Sequence, residues 1–303
     1  MSILPRAAHE TRSIPDALGQ TRPSISFEFF PPKDDAGEAA LWEAIRRLEQ
    51  TRPTFVSVTY GAGGGNRDRT IRVTDRIAHD TTMTPMAHLT CVGHSVAQLR
   101  SIVGHYANVG VRNVLALRGD PLGGLDQPWQ RHPDGLDHAD ELVALLRDLG
   151  PFTVGVAAFP DRHPESPSLD HDADVLVRKA DAGASFAISQ FFFTVEAYVG
   201  LRDRVAARGR ELPIVPGLMP VTNVKQLARM TELSGQPVPR AVTDRLGAVA
   251  HDPEAVRAVG VEIATELAQA LLREGAPGLH FITMNRSTAT LRVWRNLGIE
   301  AAQ

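Results

Sequence analysis

Eight times along this chain a short apolar run gives way to an amphipathic stretch, and glycine or proline marks the joints. The runs occupy residues 25–29, 55–59, 86–90, 113–117, 153–158, 186–189, 214–218 and 279–283. Runs this short and this apolar suit parallel strands covered by helices. Between them, stretches such as 38–49, 96–107 and 140–149 carry the helical period. Ser95 is placed to cap one helix, and Thr222 or Asn223 another. The seventh unit is longer: 237–272 reads as two additional helical pieces, with Pro253 in a first helical turn. This order and length predict an α/β chain folded as a closed (β/α)8 TIM barrel with extra helices in the seventh unit. A doubly wound open sheet is the runner-up, weakened because no Gly-rich dinucleotide fingerprint follows the first strand. Residues 1–22 read as an N-terminal extension, either disordered or lying across the barrel's bottom, and 23–303 as a single barrel domain.

With 303 residues, 43% hydrophobic and 22% charged, the chain has material for a full core and is far from a disordered composition. Its net charge of −3 makes no electrostatic case for nucleic acid or an anionic membrane, so a small-molecule ligand is expected. No stretch is apolar for long enough to span a bilayer, and residues 1–23 lack a signal-peptide core; the cytoplasm is the expected compartment. The single cysteine, Cys91, excludes an intrachain disulfide and reads as core packing. Outer helices of a barrel can pair copies of the chain as a homo-oligomer, although no exposed apolar stripe stands out.

In such a barrel the loops after the strands form one mouth, where chemistry is carried out. Those ends carry Glu28, Thr59, Tyr60, His88, Arg118, Gly119, Asp120, Phe159, Gln190, Gly217, Asn285 and Arg286. Glu28 stands among Phe27, Phe29 and Phe30. Apolar surroundings disfavour an ionised carboxylate, so the residue is a candidate proton donor with a raised pKa; the alternative is an edge-of-strand Glu facing water. His88, inside an apolar run, is by itself more often a hydrogen-bonded core residue than a ligand or base. The piece Gly61-Ala62-Gly63-Gly64-Gly65 lacks the ending of a P-loop and reads as a flexible loop before a helix over 69–79, with Arg67 and Arg69 able to meet an anion there. No histidine pair of ligand spacing stands on a predicted helix, so no metal is expected.

Seven motifs in order extend this reading: Ser26-Phe27-Glu28-Phe29-Phe30-Pro31-Pro32, Phe55-Val56-Ser57-Val58-Thr59-Tyr60-Gly61-Ala62, His88-Leu89-Thr90-Cys91, Leu117-Arg118-Gly119-Asp120, Ala180-Asp181-Ala182-Gly183-Ala184, Ser189-Gln190-Phe191-Phe192-Phe193 and Pro216-Gly217-Leu218-Met219-Pro220. Over about residues 24–298 the chain resembles methylenetetrahydrofolate reductases of the bacterial type. The resemblance implies the barrel and the reduction of 5,10-methylenetetrahydrofolate to 5-methyltetrahydrofolate with NADH or NADPH. It implies Glu28 as general acid, Asp120 and Gln190 on the pterin ring, and Gln226 and Arg286 along the folate tail. It also implies Thr59, His88, Arg118, Gly119, Asp120, Ala157, His163, Asp172 and Lys179 at positions that hold FAD. Met230 stands where better-known members have a Phe, as an apolar floor for the nicotinamide. The chain ends shortly after the eighth unit, so a regulatory domain of the animal kind is not expected.

Flavin use stays open at this level. Phe159 replaces a Tyr, His138 falls where an aromatic flavin contact is usual, and the loop 121–137, with Trp129, is longer than in enterobacterial members. A bulky loop there could cover the flavin ring, and flavin-independent relatives that move hydride directly from NADH are known in the wider family. Two other classes remain: a pterin-binding methyltransferase on the same barrel, which the carboxylate at Glu28 argues against, and a non-catalytic folate- or flavin-binding protein.

Overall fold

Each apolar run becomes a strand, and the strands close on themselves. The computed structural model describes residues 13–18, 20, 22–60, 67–121, 127–235 and 237–299. The strands are β1 (Ser24–Phe29), β2 (Phe55–Val58), β3 (Pro85–Thr90), β4 (Asn113–Leu117), β5 (Thr153–Ala158), β6 (Phe186–Phe191), β7 (Ile214–Leu218) and β8 (Gly278–Ile282). All neighbours are parallel, and β8 pairs back onto β1 to complete the barrel. The helices run α1 (Ile14–Leu18), α2 (Asp35–Glu49), α3 (Arg67–Asp80), α4 (Val96–Asn108), α5 (Ala139–Leu149), α6 (Leu169–Asp181) and α7 (Val195–Ala206), then α8 (Val224–Ser234), α9 (Arg240–Ala248), α10 (Pro253–Arg273) and α11 (Thr288–Asn296). Helices α9 and α10 are the extra pieces of the seventh unit.

Local chemistry fixes the helix starts. Ser95 and Gln98 form a reciprocal capping box on α4. Asn223, rather than Thr222, caps α8 by accepting from the N–H groups of Lys225 and Gln226. Pro253 occupies the first turn of α10, where its missing N–H costs nothing.

Period-two alternation sorts the strand residues into two cores. Phe27, Phe29, Val56, Val58, Ala87 and Leu89 face outward and pack under the helices. Inside the barrel's lower half, Phe55, Met86, Leu115, Phe186 and Val215 form a separate apolar plug, which Ile14 and Leu18 of α1 join from below. Gly155 has no side chain because the Phe186 ring fills that space: a Cβ there would lie 2.6 Å from its Cζ. Burying rings such as Phe55 and Phe186 contributes about 2–3 kcal/mol each. Ser26 and His280, level with Phe55, begin the polar layer.

Candidate active site

That polar layer is built by register. Glu28 of β1 lies level with Ser57 of β2 and Ile282 of β8, while Ser26 lies level with His280. In-register neighbours in a parallel sheet point to the same face, so Ser26, Glu28, Ser57 and His280 all project inward. His280 is fully buried and stacks on Phe55, with ring centroids 5.7 Å apart. Its Nδ1 lies 2.8 Å from Ser26 Oγ, and its Nε2 lies 3.4 Å from Glu28 Oε2 and 3.4 Å from Ser57 Oγ. His88, from β3, brings its Nε2 to 3.8 Å from the same Glu28 oxygen, and that nitrogen has no hydrogen-bond partner among the described residues.

The expected environment of Glu28 needs correction. Phe27 and Phe29 sit on the opposite face of β1, and the carboxylate meets the imidazoles of His280 and His88 instead of phenyl rings. Burial acts to raise its pKa, but the His280 hydrogen bond, with charge on His88 and His280, outweighs this and holds the carboxyl below its ordinary value. Burial also pushes His88 down to about 4, against the pull of Glu28, so this ring is neutral near pH 7 and the His280 contact is what remains. Ser26 Oγ donates to the Leu279 carbonyl at 3.3 Å, which leaves it to accept from His280 Nδ1–H. Nε2 is then the ring nitrogen that faces Glu28. The Glu28–His280 contact is thereby placed to pass a proton between carboxyl and ring.

The loop after β8 locks the end of β1. Asn285 accepts from the Phe30 N–H at 2.8 Å and donates to the Phe30 carbonyl at 2.9 Å, and Thr283 Oγ1 donates to the Glu28 carbonyl at 2.6 Å. Met284 and Asn285 both take left-handed φ angles, 50° and 56°, to make this clamp. Asn tolerates that region and Met does not, so the loop stores strain beside Glu28.

Two clefts open at the mouth. One, of about 540 Å³, is lined by Arg118, Gly119, Asp120, Ala157, Phe159, His163, Asp172, Lys179 and Gln190, as well as by His138 and Tyr60. Lys179 is buried, donates to the Ala157 carbonyl at 2.9 Å, and is pushed by burial down to about 8. Its ammonium keeps two further donors. Asp172 accepts from the His163 N–H at 3.0 Å, and burial holds the His163 ring below its ordinary pKa. Phe159 meets His163 edge to face at 4.7 Å. Arg118 forms a bidentate pair with Glu165, at 2.6 and 2.8 Å, and lies 5.4 Å from the Trp129 ring centroid. Gly119 has φ 88°, and a Cβ there would meet Val92 Cγ1 at 2.5 Å. Gln190 accepts from the Phe191 N–H through Oε1, which leaves its amino group free to face the cleft.

The other cleft, of about 400 Å³, holds Gln226 and Arg286. Thr59, His88, Met230 and Glu28 line neither cleft. Thr59 spends its backbone on Phe29 and Thr70, His88 stays in the barrel interior, and Met230 packs in an apolar cluster with Phe30 and Phe193. Of the two arginines expected at an anion, Arg69 donates to the Pro32 carbonyl at 2.7 Å; the Arg67 side chain and Gly61–Gly65 lie outside the described residues. His280 was missed by sequence reasoning, although a histidine in the apolar run of β8 gives the same signal as His88 in β3.

The methylenetetrahydrofolate reductase family model matches residues 13–298. The chain belongs to this family. It is 42% identical over 280 residues to the 5,10-methylenetetrahydrofolate reductase of Pectobacterium carotovorum subsp. carotovorum, with 92% of each chain covered. It is 38% identical over 288 residues to that of Escherichia coli (strain K12), covering 95% of this chain and 94% of the relative. Among solved structures, a Clostridium thermocellum protein described as binding two copies of 5-methyl-5,6,7,8-tetrahydrofolic acid superposes with a TM-score of 0.62 at 16% identity, over 94% of this chain and 97% of that one. That likeness is one of fold.

Proposed function

We propose that this reductase converts 5,10-methylenetetrahydrofolate to 5-methyltetrahydrofolate with electrons from NADH or NADPH, and that it holds FAD in the 540 Å³ cleft. The observation that carries the reading is the Glu28 carboxylate held 3.4 Å from Nε2 of the buried His280 at the barrel mouth. The methylene bridge must open to a 5-iminium cation before it can accept hydride. Opening breaks the bond from the bridge carbon to N10, and N10 leaves with a proton. The Glu28–His280 pair supplies that proton, and the Glu28 anion left behind stabilises the iminium cation. Hydride addition to the iminium carbon then completes the methyl group.

Asp120 offers two acceptor oxygens to the N3–H and 2-amino group of the pterin, and the free amino group of Gln190 reaches the same ring. Arg286 and Gln226, in the neighbouring cleft, suit the tail with its carboxylates. Met230, against Phe30 and Phe193, gives an adaptable apolar face for a nicotinamide.

The residues of the larger cleft fit FAD. Lys179 keeps unspent donors for phosphate oxygens, Asp172 and His163 form a fixed polar wall, and Ala157, Ala158 and Gly119 leave a floor without bulk. Thr59 and His88 lie outside it, so the reading rests on the remaining seven positions inferred from the resemblance. Bound there, FAD supplies a two-electron relay between nicotinamide and folate. The described part of the long loop, residues 127–137, does not line this cleft.

The test is NADH oxidation dependent on 5,10-methylenetetrahydrofolate, with purified protein freed of small molecules, with and without added FAD. Turnover restored only by FAD is expected. Full turnover without it would overturn the flavin assignment in favour of direct transfer, and no turnover under either condition would favour a binding protein.

A further inference from the structure

Strand β6 carries one residue more than its pairing with β7 uses. Between the paired positions Ile188↔Val215 and Phe191↔Gly217, three steps along β6 answer two along β7. The extra residue falls at Ser189 and Gln190, a bulge at the mouth end of the strand. A regular strand sends neighbouring side chains to opposite faces. Here Gln190 lines the 540 Å³ cleft, while Phe191 packs with Met219, Val221 and Ile282, which border the other cleft. The bulge thus turns two consecutive side chains towards the mouth.

Three hydrogen bonds hold the bulge in shape. Pro216 has no N–H, so β7 offers no donor at that point, and the next donor, the Gly217 N–H, reaches Ser189 Oγ at 2.9 Å. The same hydroxyl donates to the Gln190 carbonyl at 2.9 Å. Ser189 is buried, and its hydroxyl, with one hydrogen and two lone pairs, carries both bonds. The third bond folds the Gln190 amide back: its Oε1 accepts from the Phe191 N–H at 3.0 Å, and the amino group is the end left for the cleft. Gly217 completes the fit, because a Cβ there would overlap the Ser189 carbonyl oxygen. We infer that Ser189 is a positioning residue for folate: its hydroxyl pins the bulge that aims the Gln190 amino group at the pterin ring. This rests on the folate reading above. Without that hydroxyl, the Gly217 N–H and the Gln190 carbonyl each lose a partner in a buried place. The strand end then shifts to pair them again and carries Gln190 with it.

Equilibrium binding of tetrahydrofolate to the full chain as purified tests this role. The probe has the pterin ring but no methyl group to give up, so nothing turns over. Ser189→Ala should weaken binding about tenfold, the scale of one lost hydrogen bond to the ring. Ser189→Thr keeps the hydroxyl and should stay within about twofold of the wild type. The deciding comparison is a double-mutant cycle with Gln190→Ala: once the amide is gone, Ser189→Ala should cost no further affinity. An equal loss in both backgrounds would overturn the positioning role and leave Ser189 a structural residue. Unchanged affinity in Ser189→Ala would overturn it while leaving the folate reading intact, and a wild type that does not bind the probe would overturn the folate reading and this role with it. Urea unfolding of each variant checks that it is folded under the binding conditions.

Discussion

His280 Nε2 stands 3.4 Å from Glu28 Oε2, inside the barrel and across the seam where β8 closes onto β1. The two residues are far apart in sequence, and only closure of the sheet brings them together. Ser26 holds the far ring nitrogen at 2.8 Å as a donor and so leaves Nε2 to face the carboxylate. His280→Asn keeps a polar side chain but cannot take up or release a proton beside Glu28. Turnover is expected to fall by about 10²-fold, on the scale of a general acid–base contribution. Ser26→Ala should cost less and alter the pH profile of kcat. A His280→Asn enzyme with an unchanged kcat and pH profile would remove His280 from proton transfer.

Glu28→Gln tests the donor itself. The amide is the same size and can still donate an N–H to His280 Nε2, so folding and folate affinity should persist. It cannot deliver a proton to N10, so turnover should fall by about 10²–10⁴-fold. Folate binding by calorimetry beside steady-state rates makes the comparison. Loss of binding in proportion to rate would mean that Glu28 only holds substrate.

Asn285 ties the β8–α11 loop to Phe30 through two hydrogen bonds. Asn285→Ala removes both and puts a less tolerant residue at φ 56°. At about 0.5–1.5 kcal/mol per bond, the expected loss is roughly 1–3 kcal/mol in urea unfolding. Because Arg286 follows directly, the KM for folate should rise more than kcat falls. Wild-type stability in this variant would show that the clamp is not holding the loop.

His88 gives the barrel a pH-dependent stability. Its folded pKa is about 4 against 6.5 for an ordinary imidazole, with burial as the main cause. Between those values the unfolded chain takes up a proton that the folded one refuses, so stability is lost as pH falls from 6.5 towards 4. The lowering corresponds to at most about 3 kcal/mol. Urea unfolding at pH 7 and at pH 4.5 measures it. His88→Asn should flatten the slope over this window, and an unchanged slope would assign it to other groups.

The barrel was legible because each strand carries its own signal. The runs 113–117, 153–158 and 214–218 coincide with β4, β5 and β7 end to end. Strand β6 runs on to Phe191, two residues past the predicted end, across an irregularity in its pairing with β7 that no local pattern encodes. The site was only half legible. Glu28 was visible as a carboxylate among rings, but which face looks inward follows from barrel closure, and that put Phe27 and Phe29 outside and imidazoles inside. His280 was hidden for the same reason: a polar residue in an apolar run becomes informative once its neighbouring strand is known.

Lys179 makes flavin retention depend on pH in a direction that distinguishes it from simple unfolding. Its ammonium is buried, and burial lowers its pKa to about 8 from an ordinary 10.5, partly opposed by Asp140 and Asp172. Below pH 8 the empty cleft presents a cation with two unspent donors, which favours phosphate oxygens. As pH rises through 8 the free protein loses that charge, so bound anion must take up a proton with it, and affinity falls with each further unit. The fall ends when the pH exceeds the pKa of Lys179 in the complex, which the bound anion raises. FAD affinity of the stripped protein should therefore be level from pH 6.5 to 7.5 and decline by up to tenfold per unit above 8. Folding stability moves the other way here: the unfolded chain binds more protons than the folded one between about 8 and 10.5, so stability rises with pH across that window as far as this lysine is concerned. Equilibrium dialysis against FAD at pH 7, 8, 9 and 9.5, with circular dichroism at each, separates the two effects. Lys179→Met should bind FAD weakly and without pH dependence over the same range. A decline that persists in that variant would show that another group, not Lys179, holds the anion.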